Sequence, residues 1–208
     1  MILIGQYDSP FARRVGIALT LYGMAFEHRP WSVFSDADKV RTFNPLCRVP
    51  VLVLDDGEAL IESHAMLDYL DSLVEPDRRM FPVAEPARRR ALKIAALAAG
   101  LADKAVSLFY EQRLHKNVSE VWVSRCRSQI TGALDALEKE RAGRKGAFWF
   151  GERIGHADII AATVLRHFRE AHPGLVSIDA WPALAAHAAK MEALDVFKTI
   201  SQPFIAPA

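Results

Sequence analysis

The spacing of apolar positions alternates between two periods in the first third of the chain and settles on one afterwards. Residues 2–5 are a short apolar run of strand character, and residues 11–22 carry Phe11, Val15, Ala18, Leu19 and Tyr22 at helical spacing. Gly23 ends that helix in the usual C-terminal manner. Residues 26–31 read as a second strand, followed by a loosely polar helix over 36–43. A strand over 51–54, a tight turn at Asp56-Gly57 and a returning strand over 59–61 form a hairpin. Ser63 then opens, as N-cap, a helix running through Leu73. The order β-α-β-α-β-β-α fills roughly the first 75 residues, near the low end of natural domain sizes.

A break follows at Glu75-Pro76-Asp77, and the stretch from Phe81-Pro82 to Glu85 shows no period. Pro86 suits the start of the next helix. Helical patterns then cover residues near 87–113, 119–141, 157–171, 182–191 and 193–200. The expectation is an α/β domain over 1–78, a linker over 79–86, and an all-helical domain over 87–208. Within 87–113, Leu92, Ala95, Ala99, Ala102, Val106 and Phe109 form one apolar stripe, and Ile94, Leu97, Leu101, Ala105 and Leu108 form another. A helix apolar on two sides needs two partners. One is its own helical domain; the other is the first domain or a second subunit.

Bulk composition narrows the function class without naming it. The 208 residues are 51% hydrophobic and 25% charged, which is ordinary for a globular protein with a sizeable core. A formal net charge of +1 gives no electrostatic reason to expect nucleic acid or an anionic membrane as partner. Residues 1–5 are too short, and lack the basic flank, for a signal peptide. The Ala-rich stretch 91–110 is interrupted by Lys93, Asp103 and Lys104, which makes a poor membrane span. Cys47 and Cys126 make neither a disulfide framework nor a Cys-x-x-Cys pair, and the seven histidines show no metal-ligand spacing. The expected address is the cytoplasm, with no metal.

Three short motifs carry candidate chemistry. Ser9-Pro10 opens the first helix: Pro10 suits the first turn, and Ser9 sits beside free backbone N–H groups and the positive end of the helix dipole. An anion brought there is stabilised, a thiolate included. Val49-Pro50 precedes a strand, where a proline by itself marks a strand edge. Glu62-Ser63 stands where a strand turns into a helix, and taken alone Ser63 is a plain cap and Glu62 a solvated charge.

Together with the element order, these motifs make the whole chain resemble the cytosolic glutathione transferases, of the bacterial type with a serine-containing site. Asn44-Pro45-Leu46-Cys47-Arg48-Val49-Pro50-Val51-Leu52 is similar to that family's NP-x-G-K-VP-x-L stretch. Glu62-Ser63-His64-Ala65-Met66-Leu67-Asp68-Tyr69-Leu70 is similar to its E-S-x-x-I-x-x-Y-L stretch. The resemblance implies a thioredoxin-like first domain with a mixed four-stranded sheet, an all-α second domain, a homodimer, and glutathione as co-substrate. It implies that Ser9 donates a hydrogen bond to the glutathione thiol, whose reference pKa of about 8.5 is thereby lowered. It implies a cis Val49-Pro50 bond, with the backbone of Val49 pairing with the cysteinyl part of glutathione. Ser63 and the N–H groups behind it would take the γ-glutamyl carboxylate, Glu62 the ammonium, and Arg48, or less directly Lys39, the glycine carboxylate. Phe11 would border glutathione and, with Tyr110 and Phe204, line the electrophile pocket. Asp103 could reach the glutathione amino group across a dimer interface, or sit on a salt-bridging face.

Departures from the family pattern sharpen the expectation. Cys47 stands where a glycine is more usual, which alters the loop conformation or places a thiol near the site, or else leaves a buried, inert cysteine, the favoured reading. Gly155-His156-Ala157-Asp158 resembles the family's S/T-x-x-D box, with Asp158 satisfying a neighbouring backbone N–H. Glutaredoxin-like relatives of the fold carry Cys-x-x-Cys where this chain has Ser9-Pro10-Phe11-Ala12, so dithiol chemistry is excluded there. The implied function is glutathione transfer to a small apolar electrophile. The alternatives are a non-catalytic glutathione-transferase-like binding or regulatory protein, or a glutathione-dependent isomerase or lyase. The Ser-Ser-Cys type motif associated with maleylacetoacetate isomerases is absent around Ser9.

Overall fold

Strands β1 (Ile2–Ile4), β2 (Glu27–Arg29), β3 (Val51–Val53) and β4 (Ala59–Ile61) form one sheet in the order β2-β1-β3-β4. The computed structural model describes residues 1–175 and 177–206. β1 runs parallel to β2 and antiparallel to β3, and β3 antiparallel to β4, so the sheet is mixed. Ile4 pairs with Val51 and with Arg29 in register, which fixes where the loop after β1 meets the approach to β3.

Alternation sorts the strand side chains onto two faces. Leu3 and Leu52 join the main core beneath helices α1 (Pro10–Tyr22) and α3 (Ser63–Ser72). Ile4, Val51 and Val53 face the other way, against Val40 of α2 (Ala37–Arg41) and against Trp31 and Phe43. The second strand and helix are shorter than their sequence patterns suggest. Trp31 N–H donates at 2.8 Å to the Arg29 carbonyl, which turns the chain away from the sheet.

The remaining helices are α4 (Ala87–Leu114), α5 (Glu120–Ala142), α6 (His156–Ala171), α7 (Pro182–Glu192) and α8 (Asp195–Thr199). α4 packs on both α5 and α6, and α6 also packs on α7 and on α1. Those contacts account for the buried members of both stripes of α4, Ile94, Leu101, Ala105 and Leu108 in one and Ala95, Ala99 and Ala102 in the other, while Val106 and Phe109 are partly buried and face a space shared with the first half. Leu92, at 36% exposure, is the stripe member left at the surface. No helix among the described residues is long and apolar enough to cross a membrane.

Two buried polar clusters bind the halves together. Arg13, 2% exposed, donates through Nη1 and Nη2 to the Glu192 carboxylate at 2.6 and 2.7 Å, and through Nε to the Ile200 carbonyl at 2.8 Å. Asp71 of α3 accepts from the Tyr22 hydroxyl, from His156 Nε2 at 2.8 Å and from the Phe81 N–H at 3.0 Å. It thus ties α1, α3, the 73–86 connection and α6 into one core. Asp158 accepts from the Gly155 N–H at 2.9 Å and from the Trp149 N–H at 2.8 Å, the structural role expected of it.

Candidate functional site

Gly5 lets three segments meet. At its φ of +132° a side chain is strained, and a Cβ there would stand 2.9 Å from Cβ of Val49 and 3.1 Å from Cβ of Ala12. The loop after β1, the first turn of α1 and the residue before Pro50 therefore approach closely. Ser9 is the N-cap of α1: its Oγ accepts from the Ala12 N–H at 3.3 Å, with Pro10 in the first turn. That bond uses an acceptor lone pair of the hydroxyl. Its proton remains available for donation.

The Val49-Pro50 bond is cis. The loop leading to it is held by Asn44, 1% exposed, whose Nδ2 donates to the Arg48 carbonyl at 2.9 Å and whose Oδ1 accepts from the Leu46 N–H at 3.0 Å. Among the described residues two non-glycine residues have positive φ, Cys47 at 50° and Glu62 at 66°, and both border this site. Left-handed backbone at non-glycine residues tends to gather at binding sites, where the surroundings enforce it.

Ser63 is not the N-cap of α3, as the sequence suggested, but its first helical residue; Glu62 holds the cap position and makes no side-chain cap bond. The reason is Arg14. Its guanidinium, fully buried, donates to Ser63 Oγ from Nε at 3.0 Å and from Nη2 at 2.6 Å. Ser63 Oγ is thus drawn inward, and at 3% exposure it keeps its own proton to donate. Burial lowers the Arg14 pKa to about 9, while the charges of Glu62 and Asp103 act to raise it, so the group is cationic at neutral pH.

Phe11, Asn44, Arg48, Val49, Pro50, Glu62 and Ser63 line a small cleft. It shares Phe11, Arg48 and Val49 with a cavity of about 830 Å³ between the two halves, whose wall includes Ser9, Trp31, Phe109, Tyr110 and Phe204. The structure therefore brings Ser9, Phe11, Arg48, Val49, Pro50, Glu62, Ser63 and Tyr110 to two joined spaces. Tyr110 meets Phe34 edge-on at 5.6 Å, and burial raises the pKa of its hydroxyl. Phe204 stands edge-on to Phe109 at 5.1 Å.

Arg48 is paired, with Glu62 Oε1 at 3.3 Å and Asp103 Oδ1 at 3.6 Å, all three side chains about half exposed. Asp103 thus sits on a salt-bridging face, the second of the two expectations for it. Cys47 is half-buried on the cavity wall, its Sγ turned to the Ala37 carbonyl at 3.6 Å, and is not a core residue. Lys39 pairs with Asp36 at 2.8 Å and lines neither space. Among the described residues no cluster of three or more His, Cys, Asp or Glu side chains is arranged to hold a metal ion.

Sequence reasoning missed Arg14, Asn44 and Asp8. Arg14 left a signal: with Arg13 it is the only charge in a helix that is otherwise apolar or small, PFARRVGIALTLY. A charge pair in such a helix must find buried partners. Asp8 left none, since its role comes from the distant tail: its carboxylate accepts from the Ile205 N–H at 3.1 Å.

Comparison with known proteins agrees with this geometry. A family model described as glutathione S-transferase, N-terminal domain, matches residues 3–78, and one described as glutathione S-transferase, C-terminal domain, matches residues 120–190. A GST-like protein of Escherichia coli, YibF, is 36% identical over 66% of this chain and 68% of its own length. A maleylacetoacetate isomerase of Pseudomonas aeruginosa is 31% identical over 88% of this chain and 87% of its own. A crystal structure of a glutathione S-transferase from Methylobacterium radiotolerans, complexed with glutathione sulfonate, superposes with a TM-score of 0.89 at 29% identity, covering 100% of this chain and 98% of that one.

Proposed function

This chain belongs to the glutathione S-transferase family, and we propose that it transfers glutathione to a small, mostly apolar electrophile, with Ser9 activating the thiol. The observation that carries the proposal is the Ser9 hydroxyl: it caps α1 through a lone pair, keeps its proton, and lines the cavity. A thiolate beside it gains that hydrogen bond and the dipole of a thirteen-residue helix. Catalysis then consists of holding a stabilised thiolate next to an electrophile in a largely apolar space.

Glutathione is held along the small cleft. Its cysteinyl backbone pairs with Val49, whose N–H and C=O are engaged by no other described residue. Its γ-glutamyl carboxylate takes the Ser63 hydroxyl and the first N–H groups of α3, with the buried Arg14 charge behind them. Its ammonium faces Glu62, and Arg48, released from its exposed pairs, takes the glycine carboxylate. Phe11 and Tyr110 flank the electrophile. The domain boundary falls in 79–86. The address is the cytoplasm, where the two unpaired cysteines remain reduced. A second copy covers the exposed apolar side chains Leu73, Leu92 and Val121 to give a homodimer.

The likeness to maleylacetoacetate isomerase supports a second reading, glutathione-dependent isomerisation. Its substrate is a dicarboxylate, which calls for cations. Arg48 is the one Lys or Arg on the cavity wall among the described residues, whereas Asp8 and Asp103 are both there. The pocket therefore favours the first reading. The test is paired: calorimetric titration with glutathione, and conjugate formation with 1-chloro-2,4-dinitrobenzene. Binding with conjugation supports transfer, binding with isomerisation of maleylacetoacetate but no conjugation supports the second reading, and no binding contradicts both.

A further inference from the structure

Asp8 and Asp103 are the two carboxylates on the cavity wall among the described residues, and they differ in what neutralises them. Asp103 meets Arg48 at 3.6 Å, whereas no described Lys, Arg or His lies within ion-pair distance of the Asp8 carboxylate. Oδ2 of Asp8 accepts from the Ile205 N–H at 3.1 Å, and the N–H groups of Ser9 and of Asp8 itself also favour the charged form. Burial acts against that charge, as does the nearby Glu170 carboxylate, and the Asp8 pKa is raised within the carboxylate range. At neutral pH Asp8 is therefore an anion without a counter-ion, one residue before Ser9.

Asp8 is partly exposed, and neither of its carboxylate oxygens is among the buried polar atoms shut off without a partner. Its charge is felt at the hydroxyl of Tyr110, which reaches the cavity from the other half of the molecule. Much of the wall is aromatic, with Phe11, Trp31, Phe34, Phe109, Tyr110 and Phe204. Ring faces attract organic cations, and a partly buried charge is costly until it is paired. Bound glutathione increases the demand: its glycine carboxylate takes Arg48, the one Lys or Arg on the wall among the described residues, and its thiolate adds a negative charge beside Ser9. A metal ion does not answer that demand, since no three His, Cys, Asp or Glu side chains among the described residues are arranged to hold one.

We propose that the Asp8 carboxylate is the specificity-determining group of the electrophile pocket, selecting an aromatic electrophile that carries an alkylammonium cation. The aromatic wall takes the apolar body of that molecule, and Asp8 takes its charged end. An electrophile bearing a carboxylate is repelled by the same group. Because Asp8 and Ser9 are neighbours in one loop, a cation held by the first keeps the rest of the molecule beside the second. The inference rests on the glutathione site proposed above, since the electrophile is seated beside the bound thiolate.

The test uses stable conjugates, so that it does not depend on turnover. S-benzyl glutathiones bearing an aminomethyl group in the ortho, meta or para position, and their uncharged ethyl and anionic carboxyl counterparts, are titrated calorimetrically into the wild-type protein and into Asp8→Asn. Asparagine keeps an oxygen for the Ile205 N–H and removes the charge. The wild type is expected to bind at least one aminomethyl conjugate about tenfold more tightly than its ethyl partner, with the carboxyl partner the weakest of the three. In Asp8→Asn the aminomethyl-to-ethyl ratio falls to about one, while affinity for the ethyl conjugate is retained. A measurement on the wild type alone guards against a misfolded variant: the carboxyl carbon resonance of Asp8 titrates at lower pH with the aminomethyl conjugate bound than with the ethyl one. Equal affinities for every pair, an unchanged ratio in the variant, or an unmoved titration each overturn the proposal. Glutathione alone is titrated in parallel. If it and all conjugates fail to bind, the glutathione site falls and this inference with it; if conjugates bind without preference, this inference alone falls.

Discussion

Arg14 donates twice to the hydroxyl of Ser63, from Nε at 3.0 Å and from Nη2 at 2.6 Å, with both residues buried. The contact joins the second turn of α1 to the first turn of α3, and the N-termini of these two helices carry the two ends of the glutathione site. It orients Ser63 and sets a positive charge behind the N-terminus of α3, where a carboxylate is expected.

Arg14→Met should weaken glutathione binding ten- to a hundredfold, the equivalent of about 1.5–3 kcal/mol for hydrogen bonds involving a charged group. Ser63→Ala should in addition lower unfolding stability by about 2–3 kcal/mol, since it leaves buried guanidinium donors unpaired. Calorimetry and urea denaturation read the two effects. Unchanged affinity in both variants would mean the γ-glutamyl group binds elsewhere.

Ser9→Ala should reduce kcat/KM for conjugation ten- to a hundredfold and change glutathione affinity less than about threefold. Removing the cap should cost roughly 1 kcal/mol of stability. Ser9→Thr, which keeps both hydroxyl and cap, should recover most of the activity. If Ser9→Ala is as active as the wild type, another group activates the thiol.

Asp71 is 5% exposed and takes donors from three other segments, through the Tyr22 hydroxyl, His156 at 2.8 Å and Phe81 N–H at 3.0 Å. Asp71→Ala should destabilise the fold by about 3–5 kcal/mol, because it strands buried donors on both halves of the molecule. Asp71→Asn should cost less, since its amide oxygen still accepts. A loss under about 1 kcal/mol in the alanine variant, measured in urea, would mean the cluster does not bind the halves together.

His64, His156, His167 and His172 all have pKa values lowered chiefly by burial, that of His64 to about 4. Unfolded histidine titrates near about 6.5. Below that value the unfolded chain binds more protons than the folded one, so stability is full above it and falls as the pH drops toward the folded values. Asp8 and Asp103, raised by burial, act in the opposite sense only in the lower, carboxylate range. The melting temperature should therefore hold steady from pH 8 to about 7 and decline from about 6.5 to 5. His64→Gln should flatten part of that decline, and a melting temperature that rises on acidification would contradict the assignment.

The legible parts of the fold were those set by local pattern. Apolar spacing gave α1, α4, α5 and α6 to within a residue or two, and the Asp56-Gly57 turn marked the β3–β4 hairpin. Ser9 as N-cap was visible because cap, proline and apolar face are neighbours in the chain. What stayed hidden depended on distant partners. Ser63 moved inside α3 because Arg14, 49 residues away, claims its hydroxyl. His167 carries no signal of its own in the pattern, and its contact with Asp8, 159 residues earlier, is made only by the fold. Cys47 came to the cavity wall through a left-handed φ of 50°, which its residue type does not announce.

The most direct measurement of the central claim is a pH titration of the ultraviolet thiolate absorbance of glutathione bound to this protein, compared with Ser9→Ala. The account predicts that the bound thiol titrates at least about one pH unit below the ordinary thiol value of about 8.5, and that the alanine variant binds glutathione but loses most of that shift. Bound glutathione that titrates like the free thiol in the wild type would contradict it.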